Sequence, residues 1–207
     1  MREHDLIEDS EQLRDHYGEP SELAVACMFD KMDRYHRQFI SLSPLLCIAT
    51  ADASGQPFVS PKGDAPGFVG VLDSRTLIIP DRIGNNKVES LSNLMENAKV
   101  GLIFFVPGIR ETLRVRGSAQ LVRDTATLER FKVGKALPKS GILIEVETVY
   151  FHCGKAIVRS RFWDPSRHAP ADAMPSFGRI VKEQQNMQES ASAMEAYMEQ
   201  AYTDRLY

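Results

Sequence analysis

The residues best placed to do chemistry lie in one short segment. An apolar run, Thr76-Leu77-Ile78-Ile79-Pro80, gives way to Asp81-Arg82-Ile83-Gly84-Asn85-Asn86-Lys87, and a helical pattern of apolar residues follows at once. Two cations, two amides and a glycine therefore sit between a strand and a helix start. Exposed N–H groups at a helix N-terminus, with cations nearby, suit a phosphate monoester. The plainer alternative is that Asn86 caps the helix and that Arg82 and Lys87 are solvated charges.

Two further segments carry polar groups in rigid surroundings. Phe58-Val59-Ser60-Pro61-Lys62-Gly63-Asp64-Ala65-Pro66-Gly67 puts a hydroxyl, a cation and a carboxylate at a strand end and in a Pro/Gly loop. In Pro107-Gly108-Ile109-Arg110-Glu111-Thr112-Leu113-Arg114-Val115-Arg116-Gly117, strand alternation places Arg114 and Arg116 on one face. Same-face arginines repel unless an anion or an acidic neighbour lies between them. Trp163, the sole tryptophan, follows Lys155, Arg159 and Arg161. It serves either as a packing anchor or beside a ligand held by those cations.

Other chemistries find less support. His4, His16, His36, His152 and His168 form no spaced pair that would put two metal ligands on one helical face. Cys27, Cys47 and Cys153 are odd in number and far apart, and are expected to be reduced and mostly buried. A net charge of −3 and a pI near 6.0 create no broad field for nucleic acid or an anionic membrane. With no apolar run of membrane-spanning length and a charged N-terminal stretch, MREHDLIEDSEQLRDHYGE, a cytoplasmic location is expected.

The elements that must position these residues are mainly strands. Leu45 to Thr50, the turn Asp52-Ala53-Ser54-Gly55 and Gln56 to Ser60 read as a β-hairpin. More strands are predicted at Phe68 to Leu72, Thr76 to Pro80, Val100 to Val106, Thr112 to Val122 and Ile142 to His152. Six or more strands with short connections favour a closed or nearly closed antiparallel barrel. Met28, Met32, Tyr35 and Phe39 are spaced for one side of a helix over residues 21–40, with Ser21 as its N-cap. Val88, Leu91, Leu94 and Met95 predict a helix starting near Asn86, and Leu128 with Phe131 predict another. A linker and C-terminal helices follow residue 164, with Met187, Met194, Tyr197, Met198 and Ala201 at loose helical spacing.

Four segments in order, SPKGDAPGFV, PDRIGNNKVESL, VPGIRETLRVRG and HCGKAIVRSRFW, make the sequence resemble an uncharacterised branch of the pyridoxamine 5′-phosphate oxidase-like, FMN-binding split-barrel superfamily, over roughly residues 20–190. The resemblance implies a mainly β split barrel with peripheral helices, organised as an N-terminal helical segment (1–44), an FMN-binding barrel (45–160) and a linker with a helical tail (161–207) within one structural domain. It implies a homodimer with two FMN molecules at the interface and a small-molecule substrate, without nucleic acid or membrane partners. The phosphate would be held around Arg82, Asn85, Asn86 and Lys87, with help from Ser60 to Lys62. The ring would lie along Val59, Ser60, Pro61 and Lys62, and Glu111, Thr112, Arg114, Arg159 and Trp163 would reach it from the second subunit. The sequence lacks the arginine-rich C-terminal signature of the true oxidases, and Asn86 stands where a basic residue is usual. The implied function is an FMN-dependent oxidoreductase that transfers hydride to or from a small substrate, with vitamin B6 oxidation disfavoured. The alternative is a module that binds or stores FMN, deazaflavin or haem without turnover. No side chain is obligatory as acid or base, because the cofactor carries the chemistry.

Overall fold

The computed structural model describes residues 6–207, so His4 and the first residues of the charged N-terminal stretch lie outside the described residues. Three helices precede the sheet: α1 (Ser10–Tyr17), α2 (Glu22–Ala26) and α3 (Arg34–Leu42). The single helix predicted over residues 21–40 is thus two. Ser21 does cap the first of them, accepting the Ala24 N–H. Between them the chain leaves the helix, because Phe29 exchanges backbone hydrogen bonds with Val149 (3.0 and 2.8 Å) and the Met32 N–H donates to the Ser74 carbonyl (2.7 Å). Asp33 then starts α3 with a capping box in which His36 reaches back to the Asp33 N–H. Met32 and Phe39 enter the core, whereas Met28 and Tyr35 are exposed.

The sheet consists of β1 (Leu45–Ala51), β2 (Pro57–Gly63), β3 (Gly70–Val71), β4 (Thr76–Pro80), β5 (Lys99–Phe105), β6 (Thr112–Val122) and β7 (Gly141–His152). Their spatial order is β2-β1-β5-β6-β7-β4-β3, and every pairing is antiparallel. The hairpin turn between β1 and β2 is held by the Asp52 carboxylate, which accepts the N–H groups of Ser54 and Gln56. Period-two alternation sends Leu46 and Ile48 inward beside Phe104, Leu113, Val115 and Ile144. Burial of such side chains contributes about 2 kcal/mol each. A β-bulge at Arg116/Gly117 bends the longest pairing, β6 with β7.

The sheet is open. Hydrogen bonding does not join β2 to β3, which corrects the expectation of a closed or nearly closed barrel. β3 has two residues, and β2 carries Pro57 and Pro61, which lack the N–H that ladder pairing needs. The remaining helices are α4 (Glu89–Glu96), α5 (Thr125–Leu128), α6 (Lys155–Ser160), α7 (Phe177–Gln185) and α8 (Ala191–Asp204). α4 packs over β1, β2 and β6, while α7 and α8 pack on each other. Met187 falls between α7 and α8 rather than in a helix. Cys27 and Cys153 are exposed and Cys47 half-buried, so the cysteines are free but not mostly buried. Among the described residues no helix is long and apolar enough to cross a membrane.

Candidate functional site

β4 runs through the core and stops at Pro80. The Asp81 N–H still donates to the Ser140 carbonyl (2.9 Å), after which the chain leaves the sheet. Arg82 turns back: its Nε donates to Asp64 Oδ2 (2.6 Å) and its Nη1 to the Phe131 carbonyl (2.7 Å). Asn85 Oδ1 accepts the Lys87 N–H (3.0 Å). Asn86 and Val88 adopt left-handed backbone (φ 57° and 51°), which is unfavourable for a β-branched residue such as Val88.

α4 starts at Glu89, and the residue before it, Val88, offers no side-chain cap. Asn86 is therefore not its N-cap, and the first-turn N–H groups receive no side-chain acceptor from it. Ser90, in that first turn, is 4% exposed, and its Oγ has no hydrogen-bond partner. A buried hydroxyl without a partner costs free energy unless something fills its vacant position.

Ser90 lines a cavity of about 430 Å³, within the usual size of small-molecule sites. Its walls are Phe58, Ser60 and Lys62 from β2, residues 81–91, residues 136–139, and Tyr207. Edge strand β2 thus faces the loop that follows β4 across the cavity. Burial pushes the Asp81 carboxyl above its usual value, opposed by the charges of Lys62 and Lys139. Burial also acts to raise Asp64, but hydrogen bonds from Tyr207, the Ala65 N–H and Arg82 outweigh it and hold this carboxyl low. A second, shallower hollow of about 520 Å³ beside Arg116 has its acid already engaged, since Glu147 accepts Lys99 Nζ (2.7 Å) and Ser118 Oγ (2.6 Å). Glu147 also offsets Arg116, the plainer of the two accounts of the paired arginines.

Six of the residues singled out in the sequence meet at the first cavity: Ser60, Lys62, Arg82, Asn85, Asn86 and Lys87. Val59 and Pro61 alternate to the other face of β2, where Val59 is 62% exposed, so only their backbone could serve this cavity. Glu111, Thr112, Arg114, Arg159 and Trp163 do not line it. Trp163 Nε1 donates to the Ile109 carbonyl (2.8 Å) and its ring meets Phe162 edge-on, which makes it a packing anchor within this chain. Glu111 pairs with Arg110, Thr112 is buried in β6, and Arg159 is exposed on α6.

Sequence reasoning missed Ser90, Asp81, Lys139 and Tyr207. Ser90, three positions after Lys87, was visible as a hydroxyl at a helix start. Lys139 and Tyr207 carry no local signal.

No functionally curated protein matches the sequence. Among solved structures, HupZ of Group A Streptococcus is 23% identical, with 58% of this chain and 93% of that one covered at a TM-score of 0.48. A putative pyridoxamine 5′-phosphate oxidase of Lactobacillus delbrueckii is 25% identical (59% and 95% covered, TM-score 0.46). An FMN-binding protein of Syntrophomonas wolfei is 13% identical (68% and 95% covered, TM-score 0.42). Residues 32–153, more than half of the chain and the part that holds all seven strands, match the family model described as pyridoxamine 5′-phosphate oxidase, and the chain belongs to that family.

Proposed function

We propose that the protein binds FMN in the cavity between β2 and the start of α4 and works as an FMN-dependent oxidoreductase on a small substrate. The observation that carries this reading is Ser90 Oγ, buried without a partner in the first turn of α4 on the wall of a cavity that Lys87 also lines. A phosphate oxygen that reached this hydroxyl would supply the acceptor it lacks, and the α4 N-terminus and Lys87 would favour its charge. Family membership supports a flavin-related role for the same fold.

The phosphate falls to Lys87, Asn85, Ser90 and the first-turn amides of α4. Arg82 shapes this end rather than serving as its main cation, because two of its donors are committed to Asp64 and Phe131. Bound FMN would supply hydride acceptance and donation. Ser60 and Lys62 line the cavity from β2, where the Lys62 ammonium would favour negative charge on a ring edge, and Phe58 and Leu91 add apolar surface. Burial raises the Asp81 carboxyl, which puts a group able to hold a proton on the cavity wall.

The same reading pairs two copies of the chain. Val59 on the free edge strand, with Phe29 and Phe151 elsewhere, leaves apolar side chains exposed. Glu111, Arg114 and Arg159 would then approach the partner's flavin, whereas Thr112 is buried in β6 and Trp163 is engaged within its own chain. Sedimentation should give a dimer; a monomer at micromolar concentration with flavin still bound overturns this part.

The test of the cofactor is an absorbance spectrum of the purified protein, followed by titration with FMN and riboflavin. Lys87→Ala and Ser90→Ala should each weaken FMN about tenfold while leaving riboflavin nearly unchanged. Equal losses for the two ligands would refute the phosphate assignment. A haem Soret band, or a bound flavin that no hydride donor reduces, would favour a binding or storage module.

A further inference from the structure

The family match stops at residue 153, yet the cavity has one wall from far beyond it. Tyr207 follows α8, and its hydroxyl donates to Asp64 Oδ1 (2.6 Å) across 143 residues of sequence. The other Asp64 oxygen takes Arg82 Nε, and the Arg82 guanidinium carbon lies 5.7 Å from the Tyr207 ring centroid. With Tyr207 docked the Asp64 side chain is only 3% exposed, and Arg82 and the Ala65 N–H hold its carboxylate in place independently of the phenol.

The rest of the arm is held less firmly. α7 and α8 cross so closely that a Cβ on Gly178 would lie 2.6 Å from the Glu195 nitrogen, and the Ser176 hydroxyl bonds the Glu195 carboxylate. The two helices therefore brace each other. α8 buries no residue fully, so its own packing against the sheet is slight.

We propose that Tyr207 is a latch: its contact with Asp64 and Arg82 holds the end of the α7–α8 arm at the cavity wall, and release of that contact opens the cavity to ligand exchange. A charge-assisted hydrogen bond from a phenol is strong enough to hold an arm that has little other attachment, and weak enough to break on the timescale of binding. The latch acts on whatever the cavity holds. Its effect on FMN rests on the reading above.

Two measurements on the intact protein separate the claims. Without ligand, amide hydrogen exchange across residues 191–204 should be about tenfold faster in Tyr207→Phe and faster still in Tyr207→Ala, with the sheet amides unchanged. Equal exchange in wild type and variants overturns the latch. With FMN as probe, Tyr207→Ala should raise the dissociation rate about tenfold, and Tyr207→Phe less. An unchanged dissociation rate overturns control of the cavity by the arm, and faster association alone would mean that Tyr207 merely obstructs it. Wild-type protein that binds no FMN would refute the proposed function, and the exchange result would still judge the latch. Tyr207 is 44% exposed and outside the core, so both variants should fold.

Discussion

Arg82 and Asp64 meet side-on, Nε to Oδ2 at 2.6 Å, and tie the loop after β2 to the loop after β4. Their side chains are 17% and 3% exposed, so removing one leaves the other a largely buried, unpaired charge. Arg82→Ala should lower stability by about 3 kcal/mol and weaken FMN and riboflavin alike. Chemical denaturation with both titrations checks this. A selective loss of FMN with stability intact would return Arg82 to the phosphate.

Lys62 lines the cavity on the β2 side. Lys62→Met should lower the reduction potential of bound FMN by on the order of 30 mV, the equivalent of a tenfold loss in preference for the reduced form. Potentiometry on wild type and variant decides it, and an unchanged potential removes Lys62 from the chemistry.

Burial raises the Asp81 carboxyl, partly opposed by Lys62 and Lys139, so folding favours its protonated form. The stability that this group contributes is present below its unfolded value and is lost as pH rises through the higher folded value. Asp81→Asn should therefore raise the unfolding midpoint at pH 7 and leave it unchanged near pH 3. It should also tighten FMN at neutral pH, since one negative charge leaves the cavity proposed to hold the phosphate. A lower midpoint at pH 7 would mean that the charged carboxylate is stabilised by the fold.

His36 is 2% exposed; its Nδ1 accepts the Asp33 N–H (3.1 Å) and its ring stacks on Phe151. Burial lowers its basicity, and the Asp33 charge only partly opposes this. The neutral form is the folded one, so its stability is present above pH 6.5, the ordinary value, and is lost as pH falls through the lower folded value. His36→Gln keeps a side chain that can close the capping box and should flatten this decline in a stability profile from pH 7 to 4. A decline of the same size in the variant assigns it to other groups.

Gly117 sits opposite the bulge that Glu147 makes in β7, where an added Cβ would lie 2.0 Å from the Glu145 carbonyl oxygen. Gly117→Ala should cost about 3 kcal/mol, read as a lower denaturation midpoint. At Gly84, where nothing lies within 4 Å, the same change should cost far less. Comparable losses at the two sites would mean that the sheet relaxes around the new methyl group.

The sequence by itself determined what depends on near neighbours. Thr76–Pro80 and Thr112–Val122 are strands with the bounds that their alternation and flanking turns predict, and the loop Arg82–Lys87 lies between a strand and a helix as its local pattern predicts. Tertiary structure decided the rest. Phe29 pairing with Val149 broke the helical spacing of Met28 to Phe39, because two backbone hydrogen bonds to a distant strand outweigh weak local propensity. Alternation on β2 turned Val59 and Pro61 away from the cavity, a matter of register that one strand cannot reveal. Arg82 became a partner of Asp64, Ser90 lost its solvent, and Tyr207 reached Asp64 from 143 residues away. Charge and hydrogen-bonding capacity are properties of a residue, but which partner satisfies them depends on chain segments that meet only when the sheet and its covering helices have formed.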